Sequence, residues 1–217
     1  MQKIPVVYKM DYATETLTPE VKAGCEWVVN GEGTATIKID GSACRFRHGR
    51  LWKRFDRKLN KRAQRQFDNG KLPAEIDLSF FRNPPEGFEP CEASYDPVTF
   101  HWPGWVPVSE TNPDDKYHIE ALRNHAQPLF EGRTYELIGP TLASNPYNLT
   151  THTLVEHGTE VVVVEDRSLD GLRAYLDKNY IEGLVFHHPD GRMAKIRKKD
   201  YKLFWVKEDT RVHKRKR

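Results

Sequence analysis

The sequence predicts an α+β fold in which antiparallel strands dominate. Short runs of alternating apolar and polar residues recur along the chain, turn residues separate them, and helical spacing of leucines is confined to short segments. With 38% hydrophobic residues, including 10 Phe, 9 Tyr and 5 Trp among 217, the chain carries enough apolar bulk for a core of its own.

Residues 1–33 form a mixed prelude punctuated by Gly31 and Gly33. Residues 34–40 and 44–46 read as strands, and Arg47-His48-Gly49-Arg50 reads as the turn of a hairpin that returns through residues 51–55. Residues 60–67 suit a short basic helix. Between 69 and 112, Pro73, Pro84, Pro85, Pro90, Pro97, Pro103 and Pro107 remove ladder donors, so mostly irregular surface is expected, although residues 102–108 are apolar enough to pack. Further strands are expected at 134–139, 161–164, 180–186 and 193–197. Ser168 is placed to cap a helix whose Leu169, Leu172 and Leu176 share a face. The expected division is a prelude at 1–33, one main domain at 34–207 and a basic tail at 208–217.

A net charge of +3 conceals strong local bias. Residues 45–65 hold 10 Lys/Arg against the single acid Asp56, and residues 192–217 hold 12 against three acids, on a remainder that is net acidic. Clustered bases on an acidic body suit a polyanion, because they release its condensed counterions; a merely solvated face or tail is the alternative. Cys25, Cys44 and Cys91 are odd in number, widely spaced and lack any Cys-x-x-Cys pair, which suggests buried small side chains and not a disulfide framework or zinc cage. No run approaches ~18 apolar residues and the first residues lack a secretory apolar core, so a soluble, intracellular protein without a membrane partner is expected.

Chemistry concentrates around Lys38. In Ala35-Thr36-Ile37-Lys38-Ile39-Asp40-Gly41, alternation sends Ile37 and Ile39 to one face and Lys38 and Asp40 to the other, placing an amine and a carboxylate on one side of a sheet. Glu136, Glu182, Lys195 and Arg197 sit in comparable short strand patterns with apolar neighbours. Two acids and two bases so embedded are costly unless they pair or hold ligands, and a polyphosphate with Mg²⁺ would satisfy them.

Lys38-Ile39-Asp40-Gly41 resembles motif I of the covalent nucleotidyltransferases, which include ATP-dependent DNA and RNA ligases and capping guanylyltransferases. Glu136 resembles their motif III, Glu182-Gly183 motif IV, and Lys195-Ile196-Arg197 motif V. The closer resemblance is to the vertebrate-type 5′-to-3′ RNA ligases, carried by residues 51–61 (Leu51-Trp52-Lys53-Arg54-Phe55 onward), Pro103-Gly104-Trp105-Val106-Pro107-Val108, Glu136-Leu137-Ile138-Gly139, Asn145-Pro146-Tyr147 and the turn Asp190-Gly191. It runs from about residue 34 to about 205.

The resemblance implies a ligase adenylation fold, ATP-grasp-like, of antiparallel sheets flanked by helices, without an OB domain. It implies that Lys38 attacks ATP, that AMP passes to an RNA 5′-phosphate, and that a 3′-hydroxyl displaces it. Lys195, metal and burial would ease deprotonation of Lys38. Lys195 and Arg197 would stabilise charge on phosphate oxygens, Glu182 would hold Mg²⁺ or Mn²⁺, and Glu136 would accept from a ribose hydroxyl. Ile37, Asp40 and Gly41 would border the nucleotide, with Asp40 either orienting Lys38 or capping the next turn. Arg54 would face the ribose or the RNA 5′-phosphate, and Arg57, Lys58, Lys61 and Arg62 would bind RNA. His118 is either a functional histidine or a surface one. The adenine contact is unassigned, since no aromatic near His157-Gly158 offers a stacking face. The sequence departs from many ligases at Ala43, where Arg or Asn is usual; Arg45 shares its parity.

The expected activity is therefore ATP-dependent joining of 5′-phosphate and 3′-hydroxyl RNA ends by a monomer. Its rivals are a ligase for nicks in DNA or RNA:DNA, and an inactive RNA-binding relative.

Overall fold

The computed structural model describes residues 3–205 of the protein, so the basic tail at 208–217 lies outside the described residues. In chain order the elements are β1 (Tyr8–Asp11), β2 (Thr16–Val21), α1 (Glu26–Val29), β3 (Thr34–Lys38), β4 (Ser42–Arg47), β5 (Arg50–Arg57), α2 (Lys61–Asp68), β6 (Glu89–Pro90), β7 (Trp102–Pro107), α3 (Lys116–Asn124), β8 (Thr134–Ile138), β9 (Thr153–Glu156), β10 (Val161–Val162), α4 (Leu169–Lys178), β11 (Gly183–His187) and β12 (Met193–Arg197). The pairings β1–β2, β10–β3, β3–β11, β11–β12, β4–β5, β4–β8, β5–β7 and β6–β7 are antiparallel, as the sequence predicts. Among the described residues no helix is long and apolar enough to cross a membrane. The chain divides into two compact units, one of residues 42–137 and one of residues 3–41 with the segment from 138 onward.

In the second unit, four strands lie in the order β10-β3-β11-β12. Alternation turns Ala35, Leu184, Phe186, Ala194 and Ile196 into a core shared with Val7, Tyr8, Trp27, Val28 and the Leu172 and Leu176 of α4. Ser168 caps α4 as expected: its Oγ accepts from Gly171 N at 3.1 Å. The prelude is more regular than its sequence suggests. It forms β1, β2 and α1, and residues 5–7 run parallel to β12, with Val7 N donating to Lys195 O at 3.0 Å and Lys195 N to Pro5 O at 2.8 Å. The strand expected at 161–164 shortens to Val161–Val162.

In the unit of residues 42–137, five strands lie in the order β6-β7-β5-β4-β8. The β4–β5 hairpin closes through His48 and Gly49, both at positive φ (54° and 69°), a pair of torsions that suits a two-residue hairpin turn. Asn60 caps α2, its Oδ1 accepting from Arg62 N at 3.1 Å and Ala63 N at 3.0 Å. The proline-rich stretch is mostly irregular, with one correction: residues 102–107 form a full strand beside β5. Val108 N donates to Leu51 O, so even-numbered residues aim their N–H groups at β5, while Pro103 and Pro107 turn their missing donors toward two-residue β6, where few partners are lost.

Candidate active site

The face of β3-β11-β12 opposite the core carries the candidate site. Register places Lys38, Gly183 and Arg197 in one row and Thr36, Val185 and Lys195 in the next. A Cβ at Gly183 would meet Ile196 O at 2.3 Å, so only glycine fits between the strands of Lys38 and Arg197. The resulting trough has cationic walls.

Lys38 Nζ donates to Glu182 Oε2 at 2.5 Å, with the two side chains 25% and 12% exposed. Burial pushes the Glu182 carboxyl above the usual carboxylate range, against the pull of Lys38, and the nearby Asp40 charge pushes the same way as burial. Lys38 thus rests against a carboxylate that is a better proton acceptor than a solvated one.

Lys195 is the open cation of the group. Its ammonium makes no hydrogen bond or ion pair among the described residues, and its pKa is pushed down to about 8 by burial first, then by Arg197 and Lys38. Arg197, in contrast, is held: Nη2 and Nε donate to the two oxygens of Asp200 at 2.7 and 3.1 Å, and Arg197 N donates to Asp200 Oδ2 at 2.9 Å. Asp200 is itself buried. The spacing Arg197-x-x-Asp200 carries this pair in the sequence.

Asp40 follows β3 and is gripped twice. Its N–H donates to Tyr147 Oη at 2.7 Å, and its Oδ2 accepts from Trp205 Nε1 at 2.8 Å. Tyr147 comes from a turn in which Ala143, Ser144 and Asn145 all take positive φ of 45–58°. Each such non-glycine torsion costs about 1–2 kcal/mol. The turn is braced by Asn145, whose amide donates to Leu149 O and accepts from Leu149 N, both at 2.9 Å. Sequence reasoning gave no role to Tyr147 or Trp205, nor to Asp200.

Ile37 packs on the core side of β3, and Gly41 closes the segment before β4. On the same open face Thr36 Oγ1 lies 3.0 Å from His187 Nε2, and burial, then His157, pushes the His187 pKa down.

Glu136 and Arg54 belong to the unit of residues 42–137. Glu136 is buried on β8 directly opposite Ala43, the position where many ligases place Arg or Asn. Burial, then Glu136, pushes the Cys44 thiol far up, which keeps that buried cysteine inert. Arg45 lies over Trp52 (4.9 Å) and Trp105 (5.1 Å) and pairs with Glu89. Arg54 lies over Trp105 at 5.3 Å, and Arg57, only 8% exposed, donates from Nε to Arg82 O at 2.9 Å. Lys58 is half-buried near Asp56, whereas Lys61 and Arg62 are exposed on α2. The charged run therefore divides into arginines stacked on tryptophans and a few bases open to solvent. His118 is buried on α3, which removes the surface alternative.

Comparison with known proteins adds the decisive observation. RNA ligase 1 of Rattus norvegicus is 30% identical over 247 residues, covering 91% of this chain and 75% of its own length. The chain belongs to the RNA ligase 1 family. RNA ligase 1 of Mus musculus matches equally at 30%, covering 91% and 74%, and that of Pongo abelii at 28%, covering 83% and 70%. The family model described as RNA ligase 1 matches residues 121–216, a span that contains Glu182, Lys195 and Arg197. Membership of the RNA ligase 1 family agrees with the resemblance read from Lys38 and its companion motifs.

Proposed function

We propose that this chain is an ATP-dependent RNA ligase with a nucleotidyltransferase fold, joining 5′-phosphate and 3′-hydroxyl RNA ends through a lysyl-AMP on Lys38 and an RNA-adenylate. One observation supports this most: the Lys195 ammonium, which has no ion pair among the described residues, shares a sheet face with an amine that has its proton acceptor at 2.5 Å. A half-buried cation without an anion is costly, and a triphosphate removes that cost.

Lys38 passes a proton to Glu182, and the neutral Nζ forms a bond to the α-phosphorus as the α–β phosphoanhydride bond breaks and pyrophosphate leaves with the electron pair, taking up the second proton that Nζ releases. An oxygen of the RNA 5′-phosphate then attacks the same phosphorus and the P–N bond breaks, returning a proton to Lys38. Finally the 3′-hydroxyl attacks the RNA phosphorus, loses its proton to solvent, and AMP departs. Lys195 and Arg197 meet the charge on the phosphate oxygens, and Asp200 holds the Arg197 fork in one orientation.

Glu182 and Asp40 are the carboxylates that would hold Mg²⁺ or Mn²⁺ with the phosphates, where it supplies charge neutralisation at the α-phosphate. Lys61 and Arg62 are the exposed bases for the RNA backbone, with half-buried Lys58 beside them in sequence, while Arg57 is buried away from it.

Ligation of 5′-phosphate RNA, nicked DNA and nicked RNA:DNA in parallel, with ATP and with GTP, tests the reading. Sealing of RNA with ATP is expected. Faster sealing of the nicked DNA, or RNA binding with no sealing at all, would overturn it in favour of a nick ligase or an inactive relative.

A further inference from the structure

Lys38 stands between two different surfaces of the unit that holds it. On one side, back along β3, lies the sheet face with Thr36, Val185 and Lys195. On the other side, past the strand end, three aromatic rings gather at Asp40. Trp205 lies 4.9 Å from Tyr180 at an interplanar angle of 40°, and 6.3 Å from Tyr147 at 59°. Two of the three rings hold Asp40 by hydrogen bonds, so the group is tied to the segment two residues beyond the nucleophile. Tyr180 is also two residues before Glu182, the partner of Lys38.

Tyr180 lies outside the buried core of its unit. Ile181 is the buried anchor of that segment, at 8% exposure, while Tyr180 is 67% exposed and Phe204, next to Trp205, is 81% exposed. Exposed aromatic faces grouped at a reactive centre mark a binding surface. The same stretch adds exposed Lys199 and Lys202. Flat exposed rings in a chain segment that also carries basic side chains suit one class of ligand, an unpaired nucleotide, since every base has a π-face and every phosphate a charge.

We propose that Tyr180 and Trp205 form the platform on which the base of the RNA nucleotide that receives AMP stacks. This rests on the ligase reading above. The ring pair seats the 5′-terminal base while its phosphate reaches the phosphorus held on Lys38, and the nucleotide of ATP occupies the opposite side, over the sheet face. Tyr147 and the Trp205 indole N–H couple this platform to Asp40, so that the RNA end and the nucleophile share one rigid support.

The test uses the full chain with Tyr180→Leu, which keeps apolar bulk without the aromatic face, and Tyr180→Phe, which keeps the ring. Affinity is measured by titrating single-stranded 5′-phosphate RNA without ATP, and lysyl-AMP formation is measured with ATP without RNA. Tyr180→Leu weakens RNA binding about tenfold, Tyr180→Phe restores it, and lysyl-AMP formation stays within twofold in both. An RNA abasic at its 5′-terminal nucleotide loses the same tenfold on the wild type and nothing further on Tyr180→Leu. Unchanged RNA binding by Tyr180→Leu, additive losses with the abasic RNA, or an equal fall in lysyl-AMP formation would each overturn the platform. A wild type that forms no lysyl-AMP contradicts the ligase reading instead, and the titration without ATP still decides the platform.

Discussion

Lys38 Nζ and Glu182 Oε2 lie 2.5 Å apart, although the two residues are separated by 144 positions in sequence. The contact joins the end of β3 to the residue just before β11, whose first residue Gly183 lies opposite Lys38, so the sheet itself sets the distance. Replacing Glu182 by Gln removes the proton acceptor while keeping shape and hydrogen bonding. Lysyl-AMP formation from labelled ATP is expected to fall by about 10²-fold or more, with the fold retained by circular dichroism. A rate within threefold of wild type would remove Glu182 from the chemistry.

Lys195 should impose a pH limit on nucleotide binding. With its pKa pushed down to about 8, it is charged below that pH and loses its charge above it, so the KM for ATP rises as pH passes 8. In Lys195→Arg the guanidinium stays charged and the rise disappears. Equal profiles for the two proteins would contradict the assignment.

The same lysine costs stability. Because its folded pKa lies below its unfolded one, the unfolded chain binds more protons between about pH 8 and 10.5, and wild-type stability rises with pH across that window. Below pH 8 the cost is fully present. Lys195→Met is therefore expected to be more stable at pH 7, by about 1 kcal/mol after discounting for its partial exposure, and inactive. Thermal unfolding at pH 7 and pH 10 checks this: a variant less stable at pH 7, or an advantage that does not shrink at pH 10, would count against it.

Glu182 gives a second linkage, of opposite range. Burial raises its folded pKa and Lys38 holds it down, so Lys38→Met raises it further. A carboxyl with a raised folded pKa loses stability as pH climbs from its unfolded value through its folded one. The gap in Tm between wild type and Lys38→Met should therefore widen as pH rises above 4.5. Parallel Tm curves would show that the pair carries no coupling.

Tyr147→Phe removes the acceptor for Asp40 N–H and leaves that donor unsatisfied. A stability loss of about 1–2 kcal/mol is expected, together with slower lysyl-AMP formation at unchanged KM for ATP. A raised KM with unchanged maximal rate would place Tyr147 in nucleotide binding instead.

How much of this was legible in the sequence follows from how local each signal is. The strand of Lys38, the His48-Gly49 hairpin and the Ser168 cap are short-range patterns, and all three appear where the sequence puts them. The strand Trp102–Pro107 was obscured because two prolines read as breakers unless the empty side of the strand is known. The prelude hid β2 for a similar reason, with Pro19 inside it. Lys38, Glu182, Lys195 and Arg197 were found through residue type in short apolar strands, and the structure brings these four together on one unit. Tyr147 stood in a family-like segment, but its contact with Asp40, like that of Trp205, was not read, because the two links span 107 and 165 residues and no local pattern reports them.

The most direct measurement is the intact mass of the protein after incubation with ATP and Mg²⁺ in the absence of RNA. Wild type should gain one adenylyl group, mapped by peptide fragmentation to Lys38 and discharged by adding 5′-phosphate RNA, while Lys38→Met gains none. A wild type that stays unmodified, or an adenylyl group that persists in Lys38→Met, would contradict the central claim.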